Sequence, residues 1–289
     1  MVTAMNHTKS SFLADTATTK YVDADGARLA YRVIGPEGAP PLLLAMRFRG
    51  VMDEWDPAFL EALATKRRVY WFDSAGLGLS SGEVPDSIPG MARVLIALVE
   101  ALELGPVDIL GWSMGGFVAQ SAALHRPNLV RSLIVAGSGP GGVPEAPATP
   151  PSVLEIAGKP SNVDADFIYL FFPATPEGIA AGREHLARLG KRAEPAELRL
   201  TGEGVARQSA AIASFQGRDA VYPHLAKLSM PILYANGAHD IMVHAYNSYA
   251  AVQRAPNAAL ILYPCSGHGF LFQHYARFAR DVHQFLDAN

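Results

Sequence analysis

From Leu42 onward, short unbroken apolar runs alternate with segments whose apolar residues recur every three or four positions. The first kind reads as a strand buried on both faces, the second as a helix with one buried stripe. Residues 42–46 are such a run, directly behind Pro40 and Pro41. The pattern then predicts a helix over 55–65, a strand over 68–73 and a helix over 90–104. That helix gathers Met91, Val94, Leu95, Leu98, Val99 and Leu102 on one face. A strand over 107–111, a helix over 114–125 stopped near Pro127, and a strand over 129–136 follow. Ahead of them, extended segments at 20–23 and 27–34 flank Asp25-Gly26, a hairpin-turn pair. Strands alternating with helices predict an α/β architecture: a mostly parallel sheet flanked by helices.

The alternation breaks at Gly137. Residues 137–151 are rich in Gly and Pro and read as a loop. Three helices are expected after it, over 163–172, 176–189 and 203–215, with no strand between them. Residues 140–222 therefore read as a helical cap inserted into a core formed by 20–139 and 223–289, behind a polar tail at 1–19. The core resumes with a strand over 231–236, a helix over 246–252, a strand over 259–263 and a last helix from about 270 to 287.

Composition narrows the class. Of 289 residues 49 % are hydrophobic, enough to line a two-sided sheet. The formal charge is −3 and Lys and Arg form no stripe, so nucleic acid is not an expected partner. The one cysteine, Cys265, has no intrachain partner, which fits a reducing compartment. The first 17 residues lack an apolar secretory core, and no run approaches the length of a membrane span. A cytoplasmic protein without a membrane partner is the expectation; a homodimer is compatible with the sequence but not demanded by it.

The sharpest motif is Gly111-Trp112-Ser113-Met114-Gly115, a G-x-S-x-G pentapeptide between a predicted strand and a predicted helix. A tight turn there lifts the Ser113 hydroxyl above the sheet edge, and the helix N-terminus favours negative charge beside it. Serine needs a base. In this class the partners follow in the order Ser, acid, His. His268 lies between two glycines in Gly267-His268-Gly269, after the last strand. Asp240 follows the preceding strand through Asn236-Gly237-Ala238-His239. It would accept a hydrogen bond from His268 and fix its tautomer. Asp219 precedes that strand and is the weaker acid. His7, His125, His185, His224, His274 and His283 read as surface or packing residues. His239 and His244 lack a third ligand, so no metal is expected.

These residues resemble the α/β-hydrolase fold family, in particular its esterases, lactonases and cofactor-free haloperoxidases. The turn Asp73-Ser74-Ala75-Gly76-Leu77-Gly78-Leu79-Ser80 resembles the family's D-x-x-G-x-G-x-S turn, which is mainly structural. The resemblance implies one oxyanion donor at the Met114 N–H and another on the loop after the third strand. That loop usually begins His-Gly; here it reads Met46-Arg47-Phe48-Arg49-Gly50, which puts the second donor at Phe48. Arg47 or Arg49 is placed either to hold a substrate carboxylate or phosphate, or to pair with Asp53 or Glu54. Among Phe167, Tyr169, Leu170, Phe171 and Phe172, one or two are expected over Ser113. Phe171, Phe172, Phe270, Trp112 and Arg49 are the named substrate-binding candidates, although Trp112 also reads as a core residue. The expected reaction is hydrolysis of a small to medium apolar ester or lactone, without cofactor. Epoxides and alkyl halides are disfavoured, because related enzymes use an aspartate where this chain has Ser113. Perhydrolysis, carbon–carbon cleavage by the same three residues, and ligand binding without turnover are the alternatives.

Overall fold

A computed structural model describes residues 12–192 and 201–289. Of the sequence expectations, the first eleven residues of the tail and residues 193–200 of the cap lie outside those described. A short helix α1 (Leu13–Thr16) leads into the hairpin β1 (Lys20–Ala24) and β2 (Ala27–Ile34). Asp25 and Gly26 turn it with φ of 50° and 75°, the left-handed pair that matches strand twist. Then come β3 (Pro41–Ala45), α2 (Pro57–Ala64), β4 (Arg68–Phe72), α3 (Ile88–Ala101), β5 (Val107–Trp112), α4 (Met114–His125) and β6 (Val130–Ala136). Four helices follow before the next strand: α5 (Pro151–Ala157), α6 (Asp164–Phe171), α7 (Pro176–Arg188) and α8 (Gly202–Phe215). The chain closes with β7 (Ile232–Gly237), α9 (Tyr246–Val252), β8 (Ala258–Tyr263), α10 (Phe270–Gln273) and α11 (Tyr275–Asp287).

The eight strands form one sheet in the order β1-β2-β4-β3-β5-β6-β7-β8. β2 runs antiparallel to β1 and β4, and every later pairing is parallel. Strand alternation feeds two cores. Leu43, Val107 and Ile109 pack with α3 and α4 on one face, while Leu42, Leu44, Leu110 and Trp112 pack with α2 and α11 on the other.

α1 lies in the expected polar tail, and several ends shift by one or two residues; three further differences have a local reason. α3 starts two residues early, because the Ser87 hydroxyl accepts from Gly90 N–H at 3.3 Å and Pro89 is tolerated in a first turn. It ends early where Glu103 turns left-handed at φ 53°. α5 falls at the end of the expected loop, with Pro151 at its first position. The last helix breaks at His274, whose non-helical backbone (φ −119°, ψ 36°) goes with a ring bond from Nε2 to Ser266 Oγ at 2.8 Å.

Candidate active site

β5 ends at Trp112 and α4 begins at Met114, leaving Ser113 alone at the junction with φ 56° and ψ −122°. For a side chain other than glycine this costs on the order of 1–3 kcal/mol. Its backbone is pinned on both sides. The N–H donates to Ala136 O at 2.9 Å, and the carbonyl accepts from Gly116 N–H at 2.8 Å and Ser138 Oγ at 2.7 Å. The flanking glycines are required by close approach. A Cβ on Gly111 would stand 2.3 Å from Gly115 O, and one on Gly115 2.0 Å from Ala45 O.

Asp240 sits in the turn after β7. Its Oδ1 accepts from Met242 N–H at 2.8 Å and Val243 N–H at 2.9 Å. Its Oδ2 is left for His268 Nδ1, also at 2.8 Å. The two side chains are almost wholly buried, at 1 % and 0 % exposure, so their bond is little screened by solvent. The carboxylate thereby holds a proton on Nδ1 and leaves Nε2 as the ring's basic nitrogen. Nε2 is buried and has no hydrogen-bond partner. The Ser113 hydroxyl is therefore not bonded to it, and the two residues line the same cavity. The loop around the ring is held from two directions. Trp112 Nε1 donates to His268 O at 3.1 Å, and Gly269 N–H donates to Phe171 O, at the end of α6, at 2.7 Å.

The cavity over Ser113 has a volume of about 370 Å³. Its floor is Ser113, His268 and Phe48, and Phe167, Leu170 and Phe171 of α6 cover it. Arg47, Arg49 and Glu54 line one side, with Ala157, Pro160, Ser161, Asn162 and Met242 completing the wall. Phe48 occupies the second position of a β-turn closed by Gly50 N–H on Arg47 O at 3.1 Å. Met114 N–H is at the first position of α4, where no intrahelical acceptor exists.

Arg47 pairs with Glu54 at 2.6 Å and lies 5.4 Å from the ring centres of both Phe167 and Phe171. Asp53 pairs instead with Arg32. Arg49 takes neither acid: its side-chain partners are neutral oxygens at the last residue of α5 and on the loop from α5 to α6.

Three residues expected at the pocket wall lie outside the cavity lining. Trp112 is 1 % exposed, boxed by Trp55, Phe272 and Phe171, with its N–H already donated. Phe172 is turned into the packing of α7 against His185. Phe270 is fully buried on Tyr263 and Phe278, facing α11. Apolarity beside a site residue does not tell which way a ring turns. Conversely, Asn162 and Met242 line the cavity without having been singled out, and Glu54, expected only as a partner for an arginine, lines it too.

Two further clusters support this geometry. Asp73 accepts from Met52 N–H at 2.7 Å and Leu79 N–H at 2.9 Å. Burial nevertheless pushes its carboxyl up to about 6. Asp56, wholly buried, caps α2 and receives His185 Nδ1 at 2.8 Å and Arg188 Nη2 at 2.6 Å from α7. Burial alone would raise the Asp56 carboxyl, but the His185 and Arg188 bonds outweigh it and hold it below the usual value. Burial also lowers His185. The pair is thus a neutral imidazole donating to a carboxylate whose charge Arg188 balances. Among the described residues no cluster of three His, Cys, Asp or Glu side chains is arranged for a metal. No helix among them is long and apolar enough to cross a membrane.

An eight-stranded, mostly parallel sheet with a strained serine at the end of its fifth strand defines a hydrolase class, and the comparisons with known proteins agree. A family model described as the alpha/beta hydrolase fold matches residues 40–275, and the chain belongs to that family. It is 26 % identical over 255 residues to a protein of Azorhizobium caulinodans provisionally named carbamate hydrolase RutD, covering 86 % of this chain and 91 % of that one. It is 30 % identical over 237 residues to the pimeloyl-(acyl-carrier protein) methyl ester esterase of Aeromonas hydrophila, covering 78 % and 87 %. Among solved structures, an alpha/beta hydrolase fold protein from Chitinophaga pinensis superposes with a TM-score of 0.87 at 29 % identity, covering 96 % of this chain and 99 % of that one.

Proposed function

We propose that this hydrolase cleaves small to medium apolar carboxylic esters or lactones through an acyl-enzyme on Ser113. The observation that carries the reading is the buried Nε2 of His268. It is unpaired, left without the ring proton by the Asp240 bond on the opposite nitrogen, and its residue lines the same cavity as Ser113. A rotation of the Ser113 side chain brings its hydroxyl to that nitrogen. Nε2 takes the proton as Oγ attacks the acyl carbon. The oxyanion that forms is met by the N–H groups of Met114 and Phe48, each worth on the order of 3 kcal/mol to the transition state. His268 then protonates the leaving oxygen, and in the second half activates water against the acyl-serine, restoring the hydroxyl. Helices α5–α8 act as a cap over this reaction.

The cavity size and the rings of Phe167 and Phe171 support a compact apolar acyl group. The relatives' names, a carbamate hydrolase and a methyl ester esterase, point to acyl carbons that the same chemistry attacks. They set the test panel: short aryl esters, methyl esters, lactones and carbamates. A fluorophosphonate is expected to label Ser113, with labelling lost in His268→Ala. An unlabelled Ser113 together with no turnover across the panel overturns the reading in favour of a binding protein.

A further inference from the structure

We infer that Arg49 is a positioning residue: it ties the turn that presents the Phe48 N–H to the helices covering the site, so the oxyanion donor is aimed only while they are docked. This rests on the reading of Ser113 as nucleophile and Phe48 as donor. The peptide between Arg47 and Phe48 is planar and trans, so its C=O and N–H point opposite ways. Gly50 N–H holds the C=O at 3.1 Å, and that bond fixes where the Phe48 N–H points. The turn requires a left-handed third residue, normally glycine. Here it is Arg49, at φ 59°, a strained conformation for an L-residue.

Two tethers offset that strain, and both come from the segment between β6 and β7. The Arg49 N–H donates at 3.0 Å to Gln208 Oε1, a side chain on α8 that is 1 % exposed. The guanidinium donates to Lys159 O at 2.6 Å, Pro160 O at 2.8 Å, Ala157 O at 3.3 Å and Asn162 Oδ1 at 3.5 Å. All are neutral oxygens: Ala157 O ends α5, and the other three lie on the loop that joins α5 to α6. An arginine kept for a substrate carboxylate would leave its fork open to the cavity. This one spends both terminal nitrogens on the end of α5 and the loop that follows it. Movement of α5 or α8 away from the sheet would pull on the turn, free the Arg47–Phe48 peptide to rotate and turn the donor off the oxyanion.

The decisive variant is Arg49→Gly, which removes the guanidinium tether and relieves the left-handed backbone together, while its N–H can still reach Gln208. Arg49→Lys and Gln208→Met keep the assay possible if Arg49→Gly does not fold. Turnover of a short aryl ester is measured per fluorophosphonate-titrated Ser113, beside inhibition by a trifluoromethyl ketone that forms a tetrahedral adduct. Hydrogen–deuterium exchange across residues 46–51 is followed in the same proteins. For Arg49→Gly a loss of about 10- to 100-fold in kcat is expected, with KM within about threefold and inhibitor affinity falling in step with kcat. Exchange across 46–51 rises, and Gln208→Met moves in the same direction by less. Unchanged exchange and unchanged kcat per titrated site overturn the inference. Wild-type protein that neither labels nor turns over would instead sink the nucleophile reading, and the exchange result alone then decides the tether.

Discussion

Trp112 donates its indole N–H to the carbonyl oxygen of His268 at 3.1 Å, so the residue before the candidate nucleophile holds the backbone of the candidate base. The two positions are 156 residues apart in the chain and share one buried bond. Trp112→Phe keeps the ring packing against Phe171 and Phe272 but leaves that carbonyl without its donor. A loss of about 1–3 kcal/mol in unfolding free energy is expected from chemical denaturation. Wild-type stability in the variant would mean that another donor replaces the indole.

Asp240 uses one oxygen for two backbone N–H groups and the other for His268. Asp240→Asn places an amide NH₂ against donors on one side or the other. If the amide oxygen stays with the backbone, the NH₂ faces Nδ1 and drives the proton to Nε2, the wrong tautomer. Ester turnover is expected to fall on the order of 10⁴-fold, as when the same change is made in the serine protease triad. Steady-state kinetics at pH 7–8 check this. A loss under tenfold would remove Asp240 from the orienting role.

His185 is held below its ordinary value of 6.5 by burial, while the unfolded chain titrates at that value. The unfolded state therefore takes the proton first as pH falls, and stability is lost from about 6.5 downward through the folded value. Asp56, depressed below 3.8, adds its own loss only at still lower pH. Urea midpoints measured from pH 8 to pH 5 should decline more steeply in the wild type than in His185→Asn. The half-buried His274 and the buried His283 shift in the same direction and remain in both proteins, so the difference isolates His185. Parallel curves would show that His185 does not carry the slope.

Met242 borders the cavity over Ser113 and also a second space of about 450 Å³ lined by Phe117, Val143, Leu154 and Ile212. Its backbone is fixed at both ends, by Asp240 on the N–H and by Thr149 Oγ1 on the carbonyl at 2.9 Å. Met242→Ala shortens the partition without moving the chain. The ratio of kcat/KM for octanoyl over butanoyl aryl esters is expected to rise about 5- to 10-fold, the effect of about 1 to 1.4 kcal/mol of added apolar contact. An unchanged ratio would show that the two spaces do not communicate.

Much of this architecture was legible because buried parallel strands are written as unbroken apolar runs. The boundaries of α4 and α9 match their predicted spans. The Asp240–His268 contact was legible too, since glycine turns after β7 and β8 point both residues to one end of the sheet. What stayed hidden has local causes. α5 was obscured by Pro150 and Pro151, which read as breakers although proline fits a first helical turn. The Arg47–Glu54 pair, by contrast, was among the expected pairings, the two lying seven residues apart. The partners of Arg49 lie 108 to 159 positions away, so nothing near it in the chain announces them. The rings of Phe172 and Phe270 share a neighbourhood with the site and turn their backs to it, a choice that only tertiary packing makes.

The bond from Gly269 N–H to Phe171 O has a practical consequence for redesign. Selectivity in such folds invites wholesale exchange of the covering segment between relatives. Here a graft whose junction falls ahead of residue 171 would bring in a foreign main chain where the loop carrying the imidazole expects an acceptor. Chimeras of that kind should lose rate before they gain a new preference, and a junction placed after Phe172 should spare them.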